Sequence, residues 1–222
     1  MGLDCLIDPV TDRYLRSLPS AVPESLRELE REVRQAELPV SSPEAIELLA
    51  VLCASRAPRR ILEIGTCVGF SSLVMHEICP EAKIDTLERY PVMIADAKAN
   101  FDRFSAENIT LYEGDAAVIL PHLSGPYDLI YLDAAKGQYP VFLPECIRLL
   151  GDDGMLISDN VLFRGQVCAG KPDTHRNQTI VNRLDEYLHR LKGDDRLITT
   201  VLPISDGMTI SVKRRNVPRE KA

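Results

Sequence analysis

Five apolar runs of strand length follow one another between Arg59 and Asn160, and a stretch with helical spacing separates each from the next. RRILEIG, KIDTLER, NITLYEG, YDLIYLD and GMLISDN are the runs; FSSLVMHEIC, PVMIADAKANFDRF, AAVILPHL and QYPVFLPECIRLL lie between them. Strands joined by helical crossovers run parallel, and their sheet is buried on both faces. RLITTVLPI and GMTISVKR, joined around Ser205-Asp206-Gly207, read instead as an antiparallel pair. The expected fold is therefore α/β: a Rossmann-like sheet of seven strands, mostly parallel, with a C-terminal antiparallel hairpin and helices on both faces. Residues 9–36 are expected to be helical, with Pro23 at a helix start and Leu26, Leu29 and Val33 in register. A further helix starts near Pro43, capped by Ser42, and another is expected over 174–192. With no linker or repeat, residues 1–222 read as one domain: an N-terminal helical extension, 1–56, and a core, 59–213.

A net charge of −7 and a pI near 5.2 argue against a broad basic face for duplex nucleic acid. No apolar run is long enough to span a bilayer, and MGLDCLIDPVTDRYL lacks a basic-then-apolar leader. A cytoplasmic location, with no membrane partner, is the expectation. The cysteines, at 5, 53, 67, 79, 146 and 168, form no CxxC pair and read as reduced thiols.

The chemistry sits where the runs stop. Glu63, Gly65, Gly69 and Ser71 belong to EIGTCVGFSS, which joins the first strand to its helix. Gly65 permits a tight turn, and Gly69 would let the backbone approach a ligand at the helix start. The G-x-x-x-G spacing departs from the dinucleotide fingerprint G-x-G-x-x-G, which disfavours an NAD-dependent dehydrogenase. Glu88 ends the second run, where nucleoside-binding folds place an acid on ribose hydroxyls. Gly114-Asp115-Ala116 follows the third run. An isolated acid at a strand end is usually solvated; their recurrence at one sheet edge favours a site.

Asp133 ends the fourth run, and Asp159 with Asn160 ends the fifth. If those strands are neighbours, two carboxylates and an amide oxygen converge. That donor set suits Mg²⁺, Mn²⁺ or Ca²⁺ rather than zinc. Lys136 lies one turn beyond Asp133 and could take up, or stabilise the departure of, a proton.

EIGTCVGFSS, LER, EGDA, DAAKGQY and DNVLFRGQV together resemble the class I metal-dependent O-methyltransferases of the catechol and caffeoyl-CoA type. Within that group the chain looks most similar to bacterial tRNA 5-hydroxyuridine methyltransferases. The resemblance implies S-adenosylmethionine held by Val40, Glu63, Gly65, Gly69 and Ser71, with Glu88 on the ribose, Asp115 and Ala116 at the adenine, and Asp133 nearby. It implies Mg²⁺ (or Mn²⁺) on Asp133, Asp159 and Asn160, with Lys136 and Asp133 as catalytic residues, and a homodimer. The implied reaction is methylation of the 5-hydroxyl of wobble 5-hydroxyuridine in tRNA, giving 5-methoxyuridine. The anticodon loop is single-stranded, so its bases can be splayed into a pocket. Arg164, Lys171, His175 and Arg176 are candidates for its phosphates, with Arg13, Arg16, Lys213, Arg214 and Arg215 behind them. Tyr139 and Phe163 are candidates for stacking on a base. Each of these residues also has an ordinary surface or core reading. The alternatives are an O-methyltransferase of small catechol-like phenols and a non-catalytic nucleotide-binding regulatory protein.

Overall fold

The computed structural model describes residues 9–170, 172 and 174–215, without the side chains of Pro9, Asp12 and Arg176. Cys5, Lys171 and the tail NVPREKA lie outside the described residues. The core strands are β1 (Arg60–Ile64), β2 (Lys83–Glu88), β3 (Ile109–Glu113), β4 (Tyr127–Leu132) and β5 (Leu150–Ser158), followed by β6 (Leu197–Leu202) and β7 (Met208–Lys213). They form one seven-stranded sheet in the order β3-β2-β1-β4-β5-β7-β6. The first five are parallel; β7 runs antiparallel between β5 and β6. This is the Rossmann-like arrangement expected from the alternation.

The helices are α1 (Pro9–Arg16), α2 (Arg27–Gln35), α3 (Pro43–Arg56), α4 (Phe70–Ile78), α5 (Pro91–Arg103), α6 (Ala116–Ile119), α7 (Tyr139–Leu149), α8 (Gln166–Ala169) and α9 (His175–Gly193). Alternation along the strands feeds two cores. Leu62, Ile64, Ile130, Leu132 and Leu156 pack toward α7 and α9. Ile61, Leu129, Tyr131 and Ile157 pack with Leu49 and Cys53 of α3 and Met75 of α4. A third cluster joins Leu29 and Val33 of α2 to Phe70, Leu73 and Phe101. Residues 9–36 are not helical throughout, as expected from their spacing, because 17–23 interrupt them. Pro19 and Pro23 cannot donate to a helix there, and the Ser17 hydroxyl closes α1 by donating to the Tyr14 carbonyl at 2.6 Å. Ser42 caps α3 by accepting from the Ala45 amide at 3.2 Å. Among the described residues, no helix is long and apolar enough to cross a membrane.

The chain reverses direction across the sheet between β1 and β4, where parallel α/β sheets open a crevice at the carboxyl ends of their strands. Leu132 pairs with Ser158, so Asp133 and Asp159 leave adjacent strands at one level. The Asp133 amide donates to Ile64 and the Asp159 amide to Leu132, each at 3.0 Å, which extends the ladder through both acids.

Candidate active site

A cavity of about 460 Å³ opens at that crevice. Residues 64–67, 70 and 71 at the end of β1 and beyond it, 87–90 and 93 at the end of β2 and beyond it, 114–116 after β3, and 133–136 with 138 after β4 line it. Pro39, Val40 and Ser41 close it from the loop before α3. The expected residues Val40, Gly65, Ser71, Glu88, Asp115, Ala116, Asp133 and Lys136 are all in this wall.

Glu88 is 8% exposed. Its carboxylate accepts from the amides of Cys67 (2.9 Å), Arg89 (2.8 Å) and Tyr90 (3.0 Å). Three backbone donors fix its direction and leave acceptor capacity for a diol. Asp115 caps α6 through the Ala117 amide, at 2.9 Å, and also meets Arg89 at 3.3 Å. The Arg89 guanidinium lies over the Tyr90 ring, 4.8 Å from its centroid, at the mouth.

Gly65 sits at φ +106, and a Cβ there would stand 2.1 Å from the Asp133 carbonyl oxygen. Glycine is required because the ends of β1 and β4 nearly touch. Gly69 lies outside the cavity wall, and a Cβ there would strike the Phe101 ring at 2.5 Å, so this glycine admits a helix-packing ring. Glu63 also lies outside that wall. It is fully buried and behind the wall, where it accepts from Ser71 (2.5 Å), Thr86 (2.6 Å) and Ser72. Its part is to orient the Ser71 hydroxyl. Burial pushes its pKa up to about 7, and the three hydroxyls counter that rise.

The carboxylates of β4 and β5 form a second, drier layer. Lys136 donates to Asp133 Oδ1 at 2.6 Å. Ser41 donates to Asp133 Oδ2 at 2.9 Å and lies 2.8 Å from the Tyr131 hydroxyl, which lies 3.2 Å from Asp159 Oδ2. Asp159 has no exposed surface, and burial, then the charge of Asp133, raises its pKa. Asn160 follows at φ +55, its amide donating to Asp159 Oδ1 at 2.7 Å. Asparagine tolerates that left-handed conformation better than most residues.

The donor set fits a divalent cation. Mg²⁺ binds through one or two carboxylates and keeps several waters, so two acids and an amide oxygen suffice. Among the described residues no group of three or more His, Cys, Asp or Glu could hold a metal, which leaves a thiolate or imidazole site without support.

Other expected residues fall elsewhere. Tyr139 cannot stack on a base: it is fully buried, its hydroxyl donating to the carbonyls of Asp159 (2.9 Å) and Leu132 (3.1 Å). Phe163 packs against the core, partly buried. Arg164 is exposed, held through its amide by Asp206 at 2.6 Å. Arg176 is in α9, and its side chain is not described. Lys213 donates to the carbonyls of Ile147 (2.9 Å) and Leu150 (2.5 Å), and Arg215 pairs with Asp153, all at the opposite edge of the sheet. Sequence reasoning missed Ser41, Tyr131, Thr86 and Ser72. Tyr131 and Thr86 read as strand interior, and only long-range pairing reveals their polar partners.

Fold and cavity define an α/β protein with a cavity at the carboxyl ends of its parallel strands, beside a cluster of hard oxygen donors. Known proteins narrow that class. The profile of a family described as O-methyltransferase matches residues 17–214. Catechol O-methyltransferase of Niastella koreensis is 27% identical over 217 residues, covering 90% of this chain and 95% of the relative. The Mycobacterium tuberculosis catechol O-methyltransferase is 33% identical over 143 residues, 62% of this chain and 65% of the relative. Methyltransferase PaMTH1 of Podospora anserina, solved with S-adenosylhomocysteine bound, superposes with a TM-score of 0.84 at 28% identity, over 93% of this chain and 94% of that one. TomG of Streptomyces achromogenes, an O-methyltransferase of tomaymycin synthesis solved with S-adenosylmethionine, gives 0.78 at 27% identity, over 93% and 96%. The chain belongs to the O-methyltransferase family.

Proposed function

We propose that this protein transfers a methyl group from S-adenosylmethionine to one of two adjacent oxygens on an acceptor, with a divalent cation held by Asp133, Asp159 and Asn160. The observation that carries the reading is the register of β4 and β5. It sets two carboxylates side by side where the cavity under the β1–β4 crevice ends. S-adenosylmethionine would bring the methyl on a sulfonium, and the cation would favour the ionised acceptor hydroxyl and fix its direction.

The chain's own residues do the positioning. Glu88, fixed by three amides, takes the ribose hydroxyls. Asp115 and Ala116 border the adenine. Ser71, oriented by Glu63, and the Val40 backbone meet the methionine end. Lys136 keeps its ammonium 2.6 Å from Asp133, where its charge stabilises an oxyanion forming on the acceptor.

The acceptor is a small catechol-like phenol. Two relatives are catechol enzymes, and a net charge of −7 opposes a polyanion. The second reading is 5-hydroxyuridine of tRNA, whose 5-hydroxyl and O4 form the same chelating pair. DAAKGQY and DNVLFRG favour it, and Arg164, in the loop after Asn160, is exposed.

Labelled methyl transfer in Mg²⁺ decides between them. Catechols, matched monophenols, caffeoyl thioesters and tRNA containing 5-hydroxyuridine would be compared. The reading expects label on catechol-type acceptors, with matched monophenols at least about tenfold slower. Label on RNA alone would install the second reading. Equal rates on monophenols would remove the chelating pair.

A further inference from the structure

Tyr131, the penultimate residue of β4, packs in the apolar cluster with Leu129, Ile157 and Leu49 of α3 and has no exposed surface. A phenol buried there needs a polar partner, and it has two. Its hydroxyl is 2.8 Å from Ser41 Oγ and 3.2 Å from Asp159 Oδ2. Ser41 in turn donates to Asp133 Oδ2 at 2.9 Å. The backbone of Ser41 is itself anchored. Arg34 of α2 donates to its carbonyl from both terminal nitrogens at 3.3 Å, while an ion pair to Glu30 at 2.8 Å steadies the guanidinium. A continuous chain of hydrogen bonds thus runs from the N-terminal helices through the loop over the cavity to both carboxylates.

We propose that Ser41 and Tyr131 are positioning residues: their hydroxyls form a bridge that holds Asp133 and Asp159 at the separation a divalent cation requires. This rests on the cation reading given above. Neither residue touches the reacting atoms in this account; each acts through a carboxylate. Groups that hold a ligand from behind typically change metal affinity by about 10- to 100-fold when removed. The bridge spans 90 residues of sequence, so it also ties the loop bearing Val40 to the strand that bears Asp133.

Mn²⁺ binding read directly, from loss of the free-ion electron paramagnetic resonance signal with S-adenosylhomocysteine present, tests this without turnover. Tyr131→Phe keeps the ring and its packing, so it removes one hydroxyl from an intact strand. The expected result is Mn²⁺ affinity lowered about tenfold in Tyr131→Phe and Ser41→Ala, and kept in Ser41→Thr. S-adenosylhomocysteine affinity of Tyr131→Phe should stay within about twofold of the parent, which a general loosening of the fold would not allow. The double variant Ser41→Ala/Tyr131→Phe should lose less than the product of the two single losses, because both belong to one bridge. Undiminished Mn²⁺ affinity in Tyr131→Phe, beside a parent that binds Mn²⁺, would overturn the bridge alone. A parent that binds no Mn²⁺ would overturn the cation reading and the bridge with it.

Discussion

Glu63 shows how a single side chain can shape the site without entering it. Its carboxylate faces three hydroxyl donors and no cation, and burial outweighs their help, raising its pKa from 4.5 to about 7. The native state therefore holds this proton more tightly than the unfolded chain. The associated stability is fully present below about 4.5 and disappears as pH rises through 7, up to about 3 kcal/mol. Glu63→Gln should flatten the fall in stability between those limits, measured by urea unfolding at a series of pH values. A slope unchanged from the parent would mean the carboxyl is not titrating there. The same substitution turns an acceptor into a partial donor facing donors. Cofactor affinity should fall about 5- to 30-fold, roughly 1–2 kcal/mol, as Ser71 loses its orientation. The type of these residues was legible in EIGTCVGFSS; their division of labour was not. Acids at strand ends announce an edge, but which acid faces the cavity depends on strand twist and on the helix packed behind. Ser41 and Tyr131 left still less trace, since a serine in a loop and a tyrosine in an apolar run are ordinary until the fold brings them together.

At the scale of elements, backbone approach and turn geometry position the site. Gly65→Ala would drive a methyl into the Asp133 carbonyl and strain a φ of +106. We expect about 2 kcal/mol or more of lost stability by thermal or urea unfolding, together with loss of cofactor binding. Retention of both would mean that the β1–β4 contact yields. The β6–β7 turn has a part that its hairpin signature concealed. Gly207 and Asp206 accept through their carbonyls from the Val161 and Leu162 amides, each at 2.9 Å, and Asp206 Oδ1 accepts from Arg164. The turn thus holds the loop that begins at Asn160. Asp206→Ala should lower turnover by roughly tenfold while cofactor affinity stays near the parent's, since one charge-assisted hydrogen bond is lost far from the nucleoside end. The parallel core, the antiparallel hairpin and the two faces followed from periodicity; the strand order, and with it the adjacency of β4 and β5, did not. The break at 17–23 was less visible: the helical spacing continues across prolines that the backbone cannot accommodate.

On the scale of the whole molecule, the sheet divides labour between its carboxyl ends. β1, β2 and β3 end at the half of the cavity where the nucleoside is proposed to lie; β4 and β5 end at the oxygen cluster, with Asp133 shared. Cofactor binding and the cation should therefore separate. Asp159→Ala/Asn160→Ala should abolish turnover while S-adenosylmethionine still binds, because Glu88 and Ser71 are untouched. The most direct test of the account is labelled methyl transfer to a catechol, run in Mg²⁺, in EDTA, and in EDTA with Mg²⁺ restored, for the parent and that double variant. The account predicts product in the parent with Mg²⁺, none in EDTA, recovery on restoration, and none from the variant under any condition. Equal product from the parent in EDTA and in Mg²⁺ would contradict it, and would leave Asp133, Asp159 and Asn160 as a buried polar cluster without a cation to hold.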